Sequence, residues 1–185
     1  EHPMKTRLIL NSLLTLMLTS ITAVSAAQNS ANQPTTIPAD AANGIAFPVN
    51  YQDWAVVSVS HREDKKSLRA IVGNPVAIKA IEDGKTNPWP NGAILGKMVW
   101  KDRQDEHWKP ATVPAKFIHA EFMFKDNQKW AETGGWGWAR WLGTEQIPFG
   151  KDKLSASASC VACHTPVKNQ DWVFTKPAIM PKRIR

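Results

Sequence analysis

From Trp54 onward the chain repeats one pattern about five times: apolar and polar residues alternate, and each run ends in glycine, proline or a charged turn. Trp54 to His61 reads as the first strand, with Ala55, Val57 and Val59 on one face and Trp54, Val56, Ser58 and Ser60 on the other. The charged run Arg62-Glu63-Asp64-Lys65-Lys66 makes a hairpin connection, and Leu68 to Gly73 returns as the second strand. Pro75 opens a short helix through Val76, Ile78, Ala80 and Ile81 that stops at Gly84. Asn87-Pro88-Trp89-Pro90-Asn91-Gly92 is a rigid turn into a third strand, Ala93 to Trp100. Lys101 to Lys116 is polar, carries Pro110 and Pro114, and reads as a surface excursion. Phe117 to Phe124 forms the fourth strand, setting Ile118, Ala120, Phe122 and Phe124 against Phe117, His119, Glu121 and Met123. Asp126 to Glu132 reads as a short helix capped by Asp126 and stopped at Gly134-Gly135, and Trp136 to Leu142 is the fifth strand. Trp136, Trp138, Arg140 and Leu142 share a face of it, and a link from Gly143 to Gly150 leads to a helical turn, Ser155 to His164. The expected fold is α+β: a mainly antiparallel sheet of about five strands, short helices, and one C-terminal helix.

The ends of the chain read differently. Met4, Lys5 and Arg7, the apolar stretch Leu8 to Val24 and the small residues Val24-Ser25-Ala26-Ala27 fit a secretion signal. A membrane anchor is the competing reading, but Asn11, Ser12, Thr15, Thr19, Ser20 and Thr22 interrupt the run, so cleavage is expected, leaving no anchor. Residues 1–27 are therefore read as leftover residues ahead of Met4 plus the signal, 28–46 as a flexible leader, and 47–185 as one folded domain.

Charge changes the picture little. The formal net charge of +7 would suit nucleic acid, yet the basic residues are scattered, and export argues against such a partner. A basic surface that meets an acidic redox partner is the milder reading. Nine tryptophans point to a core, or to the walls of a large flat ligand.

The chemistry concentrates in Cys160-Val161-Ala162-Cys163-His164, which holds both cysteines of the chain. Two thiols three positions apart followed by an imidazole is the spacing that attaches a c-type haem, with the histidine as axial ligand of the iron. A zinc site wants a second pair of Cys or His ligands, and none is visible. A thioredoxin-like dithiol wants a strand-to-helix setting that is also missing. With both cysteines assigned to one covalently attached haem, export and the absence of a disulfide agree.

Four ionisable positions inside strands stay open. Arg69 is either a snorkelling surface arginine or one reaching a haem propionate or bound anion. Lys97 shares its face with Ala93, Leu95 and Val99; a solvent-facing edge strand is one explanation, a lysine modified or paired by a cofactor the other. His119 and Glu121 lie on one face, which is either solvated or borders a ligand pocket.

A haem motif at the end of a β-rich chain is unlike the small helical electron carriers, which place it near the start. The order Asn50-Tyr51-Gln52-Asp53-Trp54, Gly92 to Val99, Phe124-Lys125-Asp126, Gly135 to Ala139, the haem motif, and Asp171 to Thr175 resembles the cytochrome P-460 family over essentially the whole mature chain. The resemblance implies a periplasmic mono-haem protein, commonly a homodimer, with His164 as proximal ligand and an open distal iron. It also implies Lys97 as a lysine cross-linked to the haem ring and Arg69 as a distal-pocket arginine. In the hydroxylamine-oxidising members the reaction runs through an iron nitrosyl to nitrous oxide or nitrite, and electrons pass to a partner cytochrome. Glu121 and Glu145 are the candidate proton acceptors. A related branch, the cytochromes c′-beta, lacks the lysine link and binds nitric oxide. A simple electron carrier would need a sixth ligand from Met98, Met123, Met180, His61 or His119.

Overall fold

The computed structural model describes residues 36–181; the secretion signal, and the part of the flexible leader before residue 36, lie outside the described residues. Six strands, β1 (Ala55–Arg62), β2 (Ser67–Gly73), β3 (Ile94–Gln104), β4 (Thr112–Lys125), β5 (Trp136–Leu142) and β6 (Ile147–Pro148), form one sheet. Each strand pairs antiparallel with the next, so sheet order equals chain order. Two helices complete the α+β architecture: α1 (Pro75–Glu82) between β2 and β3, and α2 (Ala158–His164), which carries the Cys-x-x-Cys-His run. No helix among the described residues is long and apolar enough to cross a membrane.

The alternation of β2 to β5 sends two sets of side chains to opposite faces, and each builds its own core. One face carries Val72, Met98, Ala120, Phe122, Ala139 and Trp141, covered by Ala41, Ile45, Phe47 and Trp54 from the segment before β1. Its rings pack edge to face, Phe47 on Trp141 at 5.1 Å and on Phe122 at 6.0 Å between centroids. The Trp141 indole Nε1 donates to the Ala39 carbonyl at 2.9 Å. The expected leader thus ends earlier than residue 46: from about Ala39 the chain is folded onto the sheet, because buried Ala41 and Ile45 complete a core that periodicity alone does not detect. The other face carries Ile71, Leu95 and Trp138, joined by Ala77 and Ala80 of α1, Trp89, Trp136, Cys160 and Val173.

Asn74 fixes α1 to this second face. Its Oδ1 accepts from Ala77 N at 2.9 Å and Ile94 N at 3.0 Å, and its Nδ2 donates to Gly92 O at 2.9 Å, so one side chain caps the helix and starts β3.

Four features differ from expectation. Lys101 to Lys116 is no loose excursion: β3 and β4 continue into it as a long hairpin, closed by Asp105 Oδ1 accepting from His107 and Trp108 N–H. Pro114 is tolerated because it faces Asp102 at an irregularity of the register. Asp126 to Glu132 is a chain of turns ending in one 3-10 turn, Ala131–Thr133, since Gly134 and Gly135, both at positive φ, end it at once. A bulge between Val56 and Ser58 breaks the phase of β1, so Val57 is buried while Val59 is exposed. The sixth strand, two residues including a proline, is too short to show a period.

Candidate functional site

A cavity of about 540 Å³ opens on the second face of the sheet, within the usual range for cofactor sites. Its floor is made of cross-strand rows. Ile71, Lys97, Glu121 and Arg140 are successive partners across β2 to β5, and Leu95, Met123 and Trp138 form the next row. Its opposite wall is α2 with Cys160, Cys163 and His164, followed by Val173 and Phe174 from the returning tail. The cavity is apolar at the histidine end, where the Trp138 ring lies 4.6 Å from the His164 ring and Phe174 lies 5.0 Å away. Lys97, Glu121, Arg140 and Arg69 give its remaining floor a charged character.

The Cys-x-x-Cys spacing places both thiols one helical turn apart, so both reach the same wall. Cys160 is buried and Cys163 exposed. Burial pushes the Cys160 thiol above its ordinary range, opposing thiolate formation. His164 is oriented by a hydrogen bond of 2.6 Å between Nδ1 and the Trp172 carbonyl oxygen. That carbonyl only accepts, so Nδ1 carries the proton and Nε2 keeps its lone pair. Burial lowers the His164 pKa despite this bond, which favours the neutral ring.

Glu121 gathers the charges of the pocket floor. Its carboxylate pairs with Lys97, with Arg140 at 2.5 Å and with His119 Nε2 at 3.3 Å. Burial alone would raise the Glu121 pKa; Lys97 and Arg140, helped by His119, overcome it and bring the carboxyl down to about 2. His119 is shifted below its ordinary range, chiefly by burial. At neutral pH the cluster is therefore a carboxylate, two cations and a neutral imidazole.

Placement decides several sequence alternatives. Lys97 is not on an edge: β3 lies between β2 and β4, and its ammonium is held by Glu121. Arg69 is half-buried and lines the cavity instead of lying free on the surface. His119 and Glu121 do not form a solvated face. Glu145 is a correction: it sits on the exposed turn between β5 and β6, bonded to Thr144, and does not line the cavity. Of the five residues considered as sixth ligands, Met123 alone lines the cavity. Met98 packs in the opposite core, and His61 is tied to Asp102 at 2.6 Å. Arg140 was not singled out by sequence; its signal was a charge on the face otherwise occupied by Trp136 and Trp138.

The residues present fit a haem c. Cys160 and Cys163 would hold it and His164 Nε2 would ligate its iron. Three buried donors at the cavity, Arg69 Nε, Trp138 Nε1 and Arg140 Nε, have no protein partner, which suits a large polar-edged group beside them.

An antiparallel sheet that presents one Cys-x-x-Cys-His helix to a cofactor-sized cavity defines a β-sheet c-type haem protein, distinct from the helical cytochromes. The particular family follows from its model, Cytochrome P460, which matches residues 48–175. The chain belongs to the cytochrome P460 family and takes a haem c as cofactor. No curated protein matches the chain.

Proposed function

We propose that this is a periplasmic, homodimeric haem enzyme that oxidises hydroxylamine, to nitrous oxide or nitrite, and passes the electrons to a partner cytochrome. The observation that carries the reading is the position of Lys97: it lies in the interior of the sheet, on the wall of the same cavity as Cys160, Cys163 and His164. When bound, haem would supply redox-active iron, which His164 would ligate and at which a small nitrogen compound would be oxidised. The chain's own residues then divide the work. Cys160 and Cys163 would tether the macrocycle, and Lys97, on the same cavity, would supply a second tether. Arg69 and Arg140 offer cationic N–H groups on the charged floor, suited to an anionic edge or to a polar reactant.

Glu121 is a poor proton acceptor because its conjugate acid is strong, at about 2. Its role is to hold Lys97 and Arg140 in place. His119 Nε2, 3.3 Å from the same carboxylate and outside the cavity lining, helps to hold it. Incubating the haem-loaded protein with hydroxylamine and an artificial electron acceptor tests the reading: acceptor reduction supports an enzyme, and its absence removes one.

The ion pair that occupies Lys97 favours a second reading, a nitric oxide binding protein of the cytochrome c′-beta kind in which the lysine stays a free amine. The electron-carrier alternative is weaker. Its remaining candidate, Met123, is the cross-strand partner of Trp138, which packs on His164, and so lies at the histidine's own end of the cavity.

A further inference from the structure

Behind the cavity lies a charge pair that the proposed chemistry does not use. Lys125, at the end of β4, is buried, and its Nζ donates to Asp171 Oδ1 at 2.7 Å; side-chain exposure is 2% for the lysine and 9% for the aspartate. Such burial is costly, so the pair calls for a role beyond stability. Asp171 accepts three more contacts: Trp89 N–H at Oδ2, 2.7 Å; Trp136 Nε1 at its backbone oxygen, 2.9 Å; and the same Nε1 at Oδ1, 3.3 Å. The Lys125 ammonium also lies 5.0 Å from the Trp136 ring centroid.

These contacts hold an unusual piece of backbone. Asp171 and Trp172 are consecutive non-glycine residues in the left-handed region, at φ 49° and 65°. L-residues adopt that region at a cost, and it persists where surroundings over-determine it. Gly134 contributes as well: the Trp172 indole sits where a Cβ on Gly134 would be, so only glycine admits it. The result of this bend is the direction of the Trp172 carbonyl, which accepts a hydrogen bond from His164 Nδ1–H at 2.6 Å.

We propose that the Lys125–Asp171 pair is a positioning device for His164, fixing the Trp172 carbonyl so that the imidazole is held in one tautomer and orientation and made a stronger donor to iron. The inference rests on His164 being the axial ligand, and it concerns both protonation and aim of the ring. A carbonyl acceptor on Nδ1 increases electron donation through Nε2, which strengthens the iron–histidine bond and favours the ferric state.

The test uses haem-loaded protein and reads the ferrous iron–histidine stretch by resonance Raman together with the reduction potential, neither of which depends on turnover. Lys125→Met with Asp171→Asn removes both charges while leaving an acceptor for Trp89. Trp136→Phe is gentler and removes one strap on the Asp171 carbonyl. Expected in the double variant are a lower-frequency, broader stretch and a higher potential; Trp136→Phe moves both the same way by less. A stretch and potential unchanged in Trp136→Phe, or in the folded double variant, overturn the positioning role. Absence of an iron–histidine band in the unsubstituted protein would overturn this proposal and the axial role of His164 together.

Discussion

At the residue scale the site turns on one carboxylate. Glu121 is half-buried among Lys97, Arg140 and His119, and its pKa of about 2 against an ordinary 4.5 is a statement about stability. A depressed folded-state pKa stabilises the fold above the unfolded value, and that contribution is lost as pH falls from about 4.5 to about 2. The wild type is therefore expected to lose stability across this window, by on the order of 3 kcal/mol from this group, and Glu121→Gln to lose less. Chemical denaturation at a series of pH values reads the difference. At neutral pH the same substitution leaves Lys97 and Arg140 without their counter-charge, and a cost of about 3 kcal/mol is expected. Lys97→Met separates tether from fold: the protein is expected to take up haem through Cys160 and Cys163 and to lose hydroxylamine oxidation by ~10-fold or more, a loss of at least about 1.4 kcal/mol in barrier height. Haem absorbance per chain and acceptor reduction measure the two separately.

At the element scale the strands place the chemistry on one face and the rigidity on the other. Gly96 of β3 lies against the fully buried Phe122 ring; an added Cβ would approach that ring at 2.7 Å. Gly96→Ala is expected to destabilise by about 2 kcal/mol through overpacking, read as a lower denaturation midpoint. Phe122→Ala on the same face is expected to cost about 4 kcal/mol while leaving the thiols and His164 in place, so its haem content should match wild type in the folded fraction. These strands were legible because period-two alternation records which side is buried: His119, Glu121 and Met123 separate from Ala120, Phe122 and Phe124 as the sequence divides them, while Phe117, expected with the first set, packs with the second because the register shifts at Trp100. Charged residues were harder. Lys97 and Arg140 each stand among apolar residues of their own strand without a visible partner, and with Glu121 they become a partly buried charge cluster only when three strands are set in register. Lys125 and Asp171 are further apart in sequence, and no local pattern pairs them. The bulge in β1 and the two-residue β6 escaped for the opposite reason, since each is shorter than the period that would reveal it.

At the scale of the whole molecule, the chain closes on itself from both ends. The segment from Ala39 to Trp54 covers one face of the sheet, and the tail after α2 lines the cavity before Ala178 N–H bonds the Val57 carbonyl of β1 at 2.8 Å. The haem motif therefore comes late in sequence but sits at the centre of a scaffold built before it. Without residues 1–27 the formal charge is +6, a balance that would favour an acidic partner. Electron transfer to an acidic cytochrome is expected to slow as ionic strength rises from about 10 to about 200 mM, because screening weakens the steering of oppositely charged surfaces; stopped-flow reduction of such a partner would show it.

The central claim is that the haem of this protein is held from two sides, by α2 and by β3. Proteolysis of the protein exported by its native host, followed by mass spectrometry of the haem-bearing fragments, addresses it directly. The peptide containing Lys97 is expected to remain covalently joined through haem to the peptide containing Cys160 and Cys163. A free Lys97 peptide from fully haem-loaded protein would contradict it.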